Sequence, residues 1–147
     1  MNSGNFNTMK KLILLTLFAL ATIGTLQAQD GKSPHRILFQ VASADSMEHK
    51  MLMRQLTNTN AAAPDAVIEV VCHGPGLDLL MTDRTVVRKK ITGLKELGIK
   101  FIACENAMKD RGVTREQMIE ETDYVPAAII HIVTRQEEGW SYLKAGF

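Results

Sequence analysis

The 147-residue chain has 46% hydrophobic and 22% charged residues, with 17 lysines and arginines against 16 acidic side chains, which suits one soluble globular core. So even a balance excludes a general attraction for nucleic acid or an anionic membrane surface. Two cysteines, Cys72 and Cys104, are too few to build a disulfide scaffold, so the core must be hydrophobic.

Residues 1–28 read as a secretory signal peptide. Met9, Lys10 and Lys11 form a basic start, an apolar run follows from Leu12 to about Thr25, and small residues lead out at Ala28. The run is shorter than the roughly 20 residues of a membrane span, and the polar "QAQDGKS" follows it. Leu26 stands where a smaller residue is usual, so cleavage after Ala28 is expected without fixing the bond, and Met9 is an alternative start. The expected mature domain is 29–147, periplasmic or secreted, with no membrane attachment after cleavage. Loss of Lys10 and Lys11 leaves 15 basic against 16 acidic residues, a net charge of −1.

In chain order, "RILFQVA" (36–42) predicts a buried strand, and "SADSMEH" a helix start capped by Asp45 or Ser46 with Glu48 in the first turn. That helix is expected to reach about Thr57, broken by Asn58, Asn60 and Pro64. A β-branched run from Ala66 to Cys72 predicts a second strand, ending in a turn at Gly74, Pro75 and Gly76. Val87, Ile91 and Leu94 place the next helix, with Gly98 past its end as a left-handed cap and Arg88, Lys89 and Lys90 on its wet face. "KFIAC" (100–104) is a third strand. Thr114 and Gln117 have capping-box spacing and open a short helix to about Ile119. "VPAAIIHIVTRQEEG" is ambiguous, but Pro126 and Gly139 favour a helix, and "WSYLK" alternates as a last strand. Strands alternating with helices imply a single three-layer α/β/α domain on a mostly parallel sheet of about five strands.

In such sheets ligands and reactive groups gather beyond the carboxyl ends of the strands, and both cysteines fall there. Cys104 precedes "ENAMKDRG", a turn or short helix whose amides could face the sulfur and favour the thiolate, which is the form a nucleophilic cysteine needs. Glu105 would oppose that and Lys109 would help. An inert Cys104, or one bridged to Cys72, stays open, since a bridge needs Cα atoms within about 7 Å and strand order is not legible. Cys72 reads first as a small core residue and second as an additional thiol. His73 could shuttle a proton at the mouth of a site or simply fix its loop. "HGPG" matches no phosphate-loop pattern. Met47, His49, Met51 and Met53 raise copper, but their helical spacing does not converge on one ion, so core packing with a solvent-facing histidine is preferred. No cofactor and no metal site is expected.

Taken together, "VVCHGPGLDLL", "GIKFIACENAMKDRGV" and "RQEEGWSYLK" resemble the DsrE/DsrF-like sulfur relay family, in order and over nearly all of the mature chain. The resemblance implies a three-layer α/β/α fold, assembly into trimers or hexamers, sulfur donor and acceptor proteins as partners, and a cysteine that holds sulfur as a persulfide. That role carries to Cys104 in "ACENAM", with His73 and Gly74 matching the "HG" turn. Gly139, Trp140, Tyr142 and Lys144 match the closing strand, as structural residues. The function this implies is an exported sulfur carrier with Cys104 and His73 as site residues. The alternative is a non-catalytic oligomeric binding module with buried or disulfide-bonded cysteines.

Overall fold

A computed structural model describes residues 33–146, so the expected signal segment lies outside the described residues. The elements are β1 (Arg36–Val41), α1 (Ser46–Ala62), β2 (Val67–Cys72), α2 (Arg88–Glu96), β3 (Lys100–Cys104), α3 (Glu105–Asp110), β4 (Thr122–Val125), α4 (Ala128–Glu137) and β5 (Ser141–Lys144). All strand pairs are parallel, in the order β4-β3-β2-β1-β5. From β1 to β4 the chain steps one way along the sheet, then returns across it to place β5 beside β1. Because such crossovers are right-handed, the reversal puts α4 on the face opposite α1 and α2, giving the three layers the sequence predicts.

The apolar runs of β1, β2 and β3 follow from this burial on both faces. Leu38, Phe39, Val70, Val71, Phe101 and Ile102 are all buried. Asp45 caps α1 through a 2.7 Å bond to the Met47 amide, as expected. The helix runs further than expected, through Asn58 and Asn60 to Ala62, because only Pro64 removes a backbone donor. His49 is buried, its Nε2 2.8 Å from the Ser43 carbonyl, and is not the solvent-facing residue expected. The capping box at Thr114 and Gln117 forms, but opens only a 3-10 turn, Arg115–Gln117; Met118 then leaves in extended conformation and bridges to Met81. Beyond it, "TDYV" forms the edge strand β4, which hydrophobic patterning had not picked out. The ambiguous 125–139 segment is helical over α4.

A carboxylate stands inside the sheet. In parallel register Leu38, Glu69 and Lys100 share a face, so Glu69 of β2 points at α4 and is 1% exposed. Arg135 reaches it from α4 through two 2.9 Å bonds, and His131 Nε2 lies 2.8 Å from its Oε2. Lys100 adds a charge at 3.6 Å. Arg135 also lies over the Trp140 ring, 4.9 Å from its centroid, which joins the start of β5 to the same cluster. Burial pushes the Glu69 carboxyl up, but the hydrogen bonds and charges of Arg135 and His131 outweigh it and hold it below the usual carboxylate range.

A buried carboxylate stripped of its partner typically costs about 3–5 kcal/mol. Arg135→Met should therefore lose about 3 kcal/mol in urea unfolding at neutral pH. The carboxyl's depressed pKa means its contribution is present above its unfolded value of 4.5 and disappears as pH falls through the lower folded value. The gap between wild type and Arg135→Met should accordingly narrow below that pH. Equal urea midpoints at pH 7 would show that the pair does not hold α4.

Candidate functional site

The carboxyl ends of β2 and β3 and the amino end of α4 enclose a cleft of about 360 Å³. His73 and Gly74 line it from β2, Cys104, Asn106 and Arg111 from β3 and α3, and Ala128 and Ile129 from α4. Several constraints shape it. Gly74 adopts φ +51°, a left-handed conformation that a glycine reaches without strain. Pro75 and Gly76 then enter a 3-10 segment, Gly74–Leu79, packed so closely on β1 that a Cβ on Gly76 would sit 2.2 Å from the Val41 carbonyl oxygen. "HGPG" is thus more than a plain turn: its glycines bring the chain across the end of β1. Arg111 braces the opposite wall, donating to the Gly74 carbonyl at 2.9 Å and to Asp78 at 2.6 Å.

Cys104 sits at the N-cap of α3, 5% exposed. The amide that faces its sulfur belongs to α4 and not, as expected, to α3: Ala128 N–H donates to Sγ at 3.3 Å. Ala127, the N-cap of α4, supplies no side-chain cap, and the sulfur instead serves the first of the helix's orphan amides, that of Ala128. A further backbone bond, Asn106 N–H to the Pro126 carbonyl at 3.1 Å, ties α3 to the loop entering α4. Glu105 does not oppose the sulfur, because its carboxylate pairs with Arg115.

Cys72 takes no part in the cleft. It registers with Ala103 and Val41, and successive residues of a strand point to opposite faces, so Cys72 and Cys104 project from opposite sides of the sheet. Both thiols are free. The bridge left open by the sequence is thereby ruled out in this fold, and the thought of Cys72 as a second working thiol falls with it. Complete burial pushes the Cys72 thiol far up.

His73 does line the cleft, and two residues the sequence had not assigned to the site hold it. Tyr142 O–H donates to Gln40 Oε1, and the Gln40 amide nitrogen lies 2.6 Å from His73 Nε2. An amide whose oxygen is engaged by Tyr142 offers His73 its N–H, so Nε2 accepts and the ring proton sits on Nδ1. Burial also depresses the His73 pKa, which agrees with a neutral ring. Tyr142 was read as structural, and the signal for its second role was only its alternation on β5; Gln40 had no signal, since it contacts His73 across 33 residues. Among the described residues, no group of three or more His, Cys, Asp or Glu side chains is arranged to hold a metal.

The model of the DsrE/DsrF-like family matches residues 20–145. Among solved structures, MTH1491 from Methanobacterium thermoautotrophicum, a protein of unknown function, is similar with a TM-score of 0.71 and 29% identity, covering 75% of this chain and 98% of its own. BT1422 from Bacteroides thetaiotaomicron, a conserved protein of unknown function, is similar in fold, with a TM-score of 0.60, 17% identity and coverage of 80% and 99%. No curated protein matches the chain.

The two thiols should separate under alkylation of the folded protein. Iodoacetamide should modify Cys104 through the cleft and leave Cys72 untouched until urea unfolds the chain, as read by peptide mass. Modification of Cys72 at a comparable rate would contradict its burial, and a chain two protons light would contradict the opposed faces.

Proposed function

Because the chain belongs to the DsrE/DsrF-like family, we propose that it is an exported carrier of sulfane sulfur, held as a persulfide on Cys104. The observation that carries this reading is the Ala128 amide directed at Cys104 Sγ within a cleft open to a small donor group. An N–H donor at Sγ stabilises negative charge on that atom, both in the thiolate that attacks a donor and in the thiolate that leaves when the sulfur is handed on. Export rests on the basic, apolar and small-residue order of residues 9–28.

Loading begins with the Cys104 thiolate attacking the terminal sulfur of a donor persulfide. The donor's S–S bond breaks, a new S–S bond forms on Sγ, and the donor departs as a thiolate. Unloading is the reverse substitution, in which an acceptor thiolate attacks the terminal sulfur and Cys104 leaves. The sulfane sulfur keeps its oxidation level in both steps, so no redox partner is needed. His73, held neutral by Gln40, offers its Nδ1–H to the incoming sulfur or the departing thiolate.

A second reading, a non-catalytic oligomeric binding module, draws on a different observation. The outer face of α4 exposes Ile129, Ile130 and Val133, the first two 56% and 65% exposed. Apolar side chains gathered on one helix face suit a protein contact. In both readings that face joins copies of the chain into a homo-oligomer, a trimer or hexamer, and Ile129 brings the contact to the rim of the cleft.

The test is to incubate the reduced protein with a persulfide donor and measure intact mass. Wild type should gain one sulfur, mapped to Cys104 and removed by a thiol acceptor, and Cys104→Ser should gain none while keeping its urea midpoint. Unchanged loading in Cys104→Ser removes the sulfur-carrier reading; no loading of wild type favours the binding module. Tyr142→Phe frees the Gln40 amide to turn. It should slow loading several-fold and shift the His73 ring nitrogen resonances away from the Nδ1–H tautomer, whereas an unaltered spectrum would show that Tyr142 does not set the tautomer.

A further inference from the structure

A second cleft, of about 310 Å³, lies between α1 and α2 and is lined by Lys50, Met53, Arg54, Thr57, Asn58, Val87 and Lys90. Its charge is of one sign: three cations and no carboxylate. Lys50, Arg54 and Asn58 follow one another at four-residue spacing, so they form one ridge along α1, and Lys90 faces them from α2. Met53 and Val87 are buried and supply an apolar floor.

The way the other arginines are used makes this cluster informative. Arg36 donates to the Glu138 carbonyl, Arg84 and Arg111 pair with Asp78, Arg88 with Glu121, Arg115 with Glu105, and Arg135 with Glu69 and Glu138. Among the described residues Arg54 alone of the arginines has no carboxylate or carbonyl partner, and neither Lys50 nor Lys90 has an acidic one. Lys50 and Arg54, one turn apart on α1, repel each other, a cost that an anion in the cleft would reverse.

We propose that this cleft binds a small soluble phosphate monoester whose organic part is apolar. A monoester carries close to two negative charges at neutral pH, which three cations can match, and its planar pairs of oxygens suit the fork of Arg54. Asn58 offers a neutral hydrogen bond at the rim, while the Thr57 hydroxyl already donates to the Met53 carbonyl at 2.8 Å. The apolar floor excludes a bare anion as the best fit, and the volume lies at the lower end of small-molecule pockets, enough for a single ring. The assignment is independent of the sulfur reading, since none of these residues lines the Cys104 cleft.

Titration of the 15N-labelled protein with phenyl phosphate tests this, with inorganic phosphate and benzyl alcohol as probes of the head and the body alone. Saturable shifts are expected at the amides of Lys50, Arg54, Asn58 and Lys90, with inorganic phosphate about tenfold weaker and benzyl alcohol inactive. Arg54→Glu and Lys90→Glu, both exposed positions, should each weaken phenyl phosphate by about tenfold while leaving the amide spectrum around Cys104 in place. Shifts scattered over the surface, or equal affinity in Arg54→Glu, would overturn the site. Equal affinity for inorganic phosphate would overturn the apolar body.

Discussion

A carboxylate on the second strand of a parallel sheet has to find opposite charge on the helix that covers it. Glu69 does so with Arg135 and His131, two positions one turn apart on α4. The match sets where α4 lies along the sheet, because a shift of one turn would break the two-bond Arg135 pairing of a carboxylate held in a dry interior. The geometry around Cys104 follows from that placement. With α4 docked by its middle, its first amide comes to 3.3 Å from the Cys104 sulfur, and Ile129 reaches the rim of the cleft.

The sheet supplies the second constraint. Parallel register places Cys104 one residue beyond the Ala103–Cys72 pair, and the pleat turns that single step into opposite faces. One thiol therefore meets α4 and a cleft, while the other is sealed in the core with its acidity suppressed. The two sulfurs are close in register yet have different chemistry, because a sheet separates by side rather than by distance. Gly76 works at the same end: its missing side chain lets the 3-10 segment cross the end of β1 and bring His73 to the cleft wall.

Charge is distributed unevenly over this nearly neutral protein. Around the Cys104 cleft Arg111 is satisfied by Asp78 and the Gly74 carbonyl, and Asp110 adds a carboxylate to the lining, so the cleft has polarity but no free cation to hold an anion. Such a site suits a sulfur atom passed between thiols better than a multiply charged ligand. Between α1 and α2 the opposite holds, and Lys50, Arg54 and Lys90 face one space with no carboxylate among them. The patch Arg88, Lys89 and Lys90, read as a uniformly solvated face, divides accordingly: Arg88 pairs with Glu121, and Lys90 turns into the cleft.

Local patterns in the chain carried the architecture. Three apolar runs, the Asp45 cap and the strand-end position of Cys104 are properties of contiguous residues and need no long-range contact to be legible. The weak elements failed for the same reason: β4 is a four-residue edge strand with an aspartate in it, and periodicity needs more length than that. The three motifs around His73, Cys104 and Trp140 pointed to the family, because each joins a local backbone requirement to a distinctive side chain. What pairs across the fold was not legible. The bond from Ala128 to Cys104 spans 24 residues, that from Glu69 to Arg135 spans 66, and that from Tyr142 to Gln40 spans 102. Such contacts depend on strand order and pleat, and these exist only once the sheet has formed. The sequence by itself determined a parallel α/β domain with a cysteine at the carboxyl end of its third strand; the tertiary structure alone decided which amide faces that cysteine, which thiol is sealed in the core, and which cations share a cleft with no carboxylate, because those depend on strand order and helix placement.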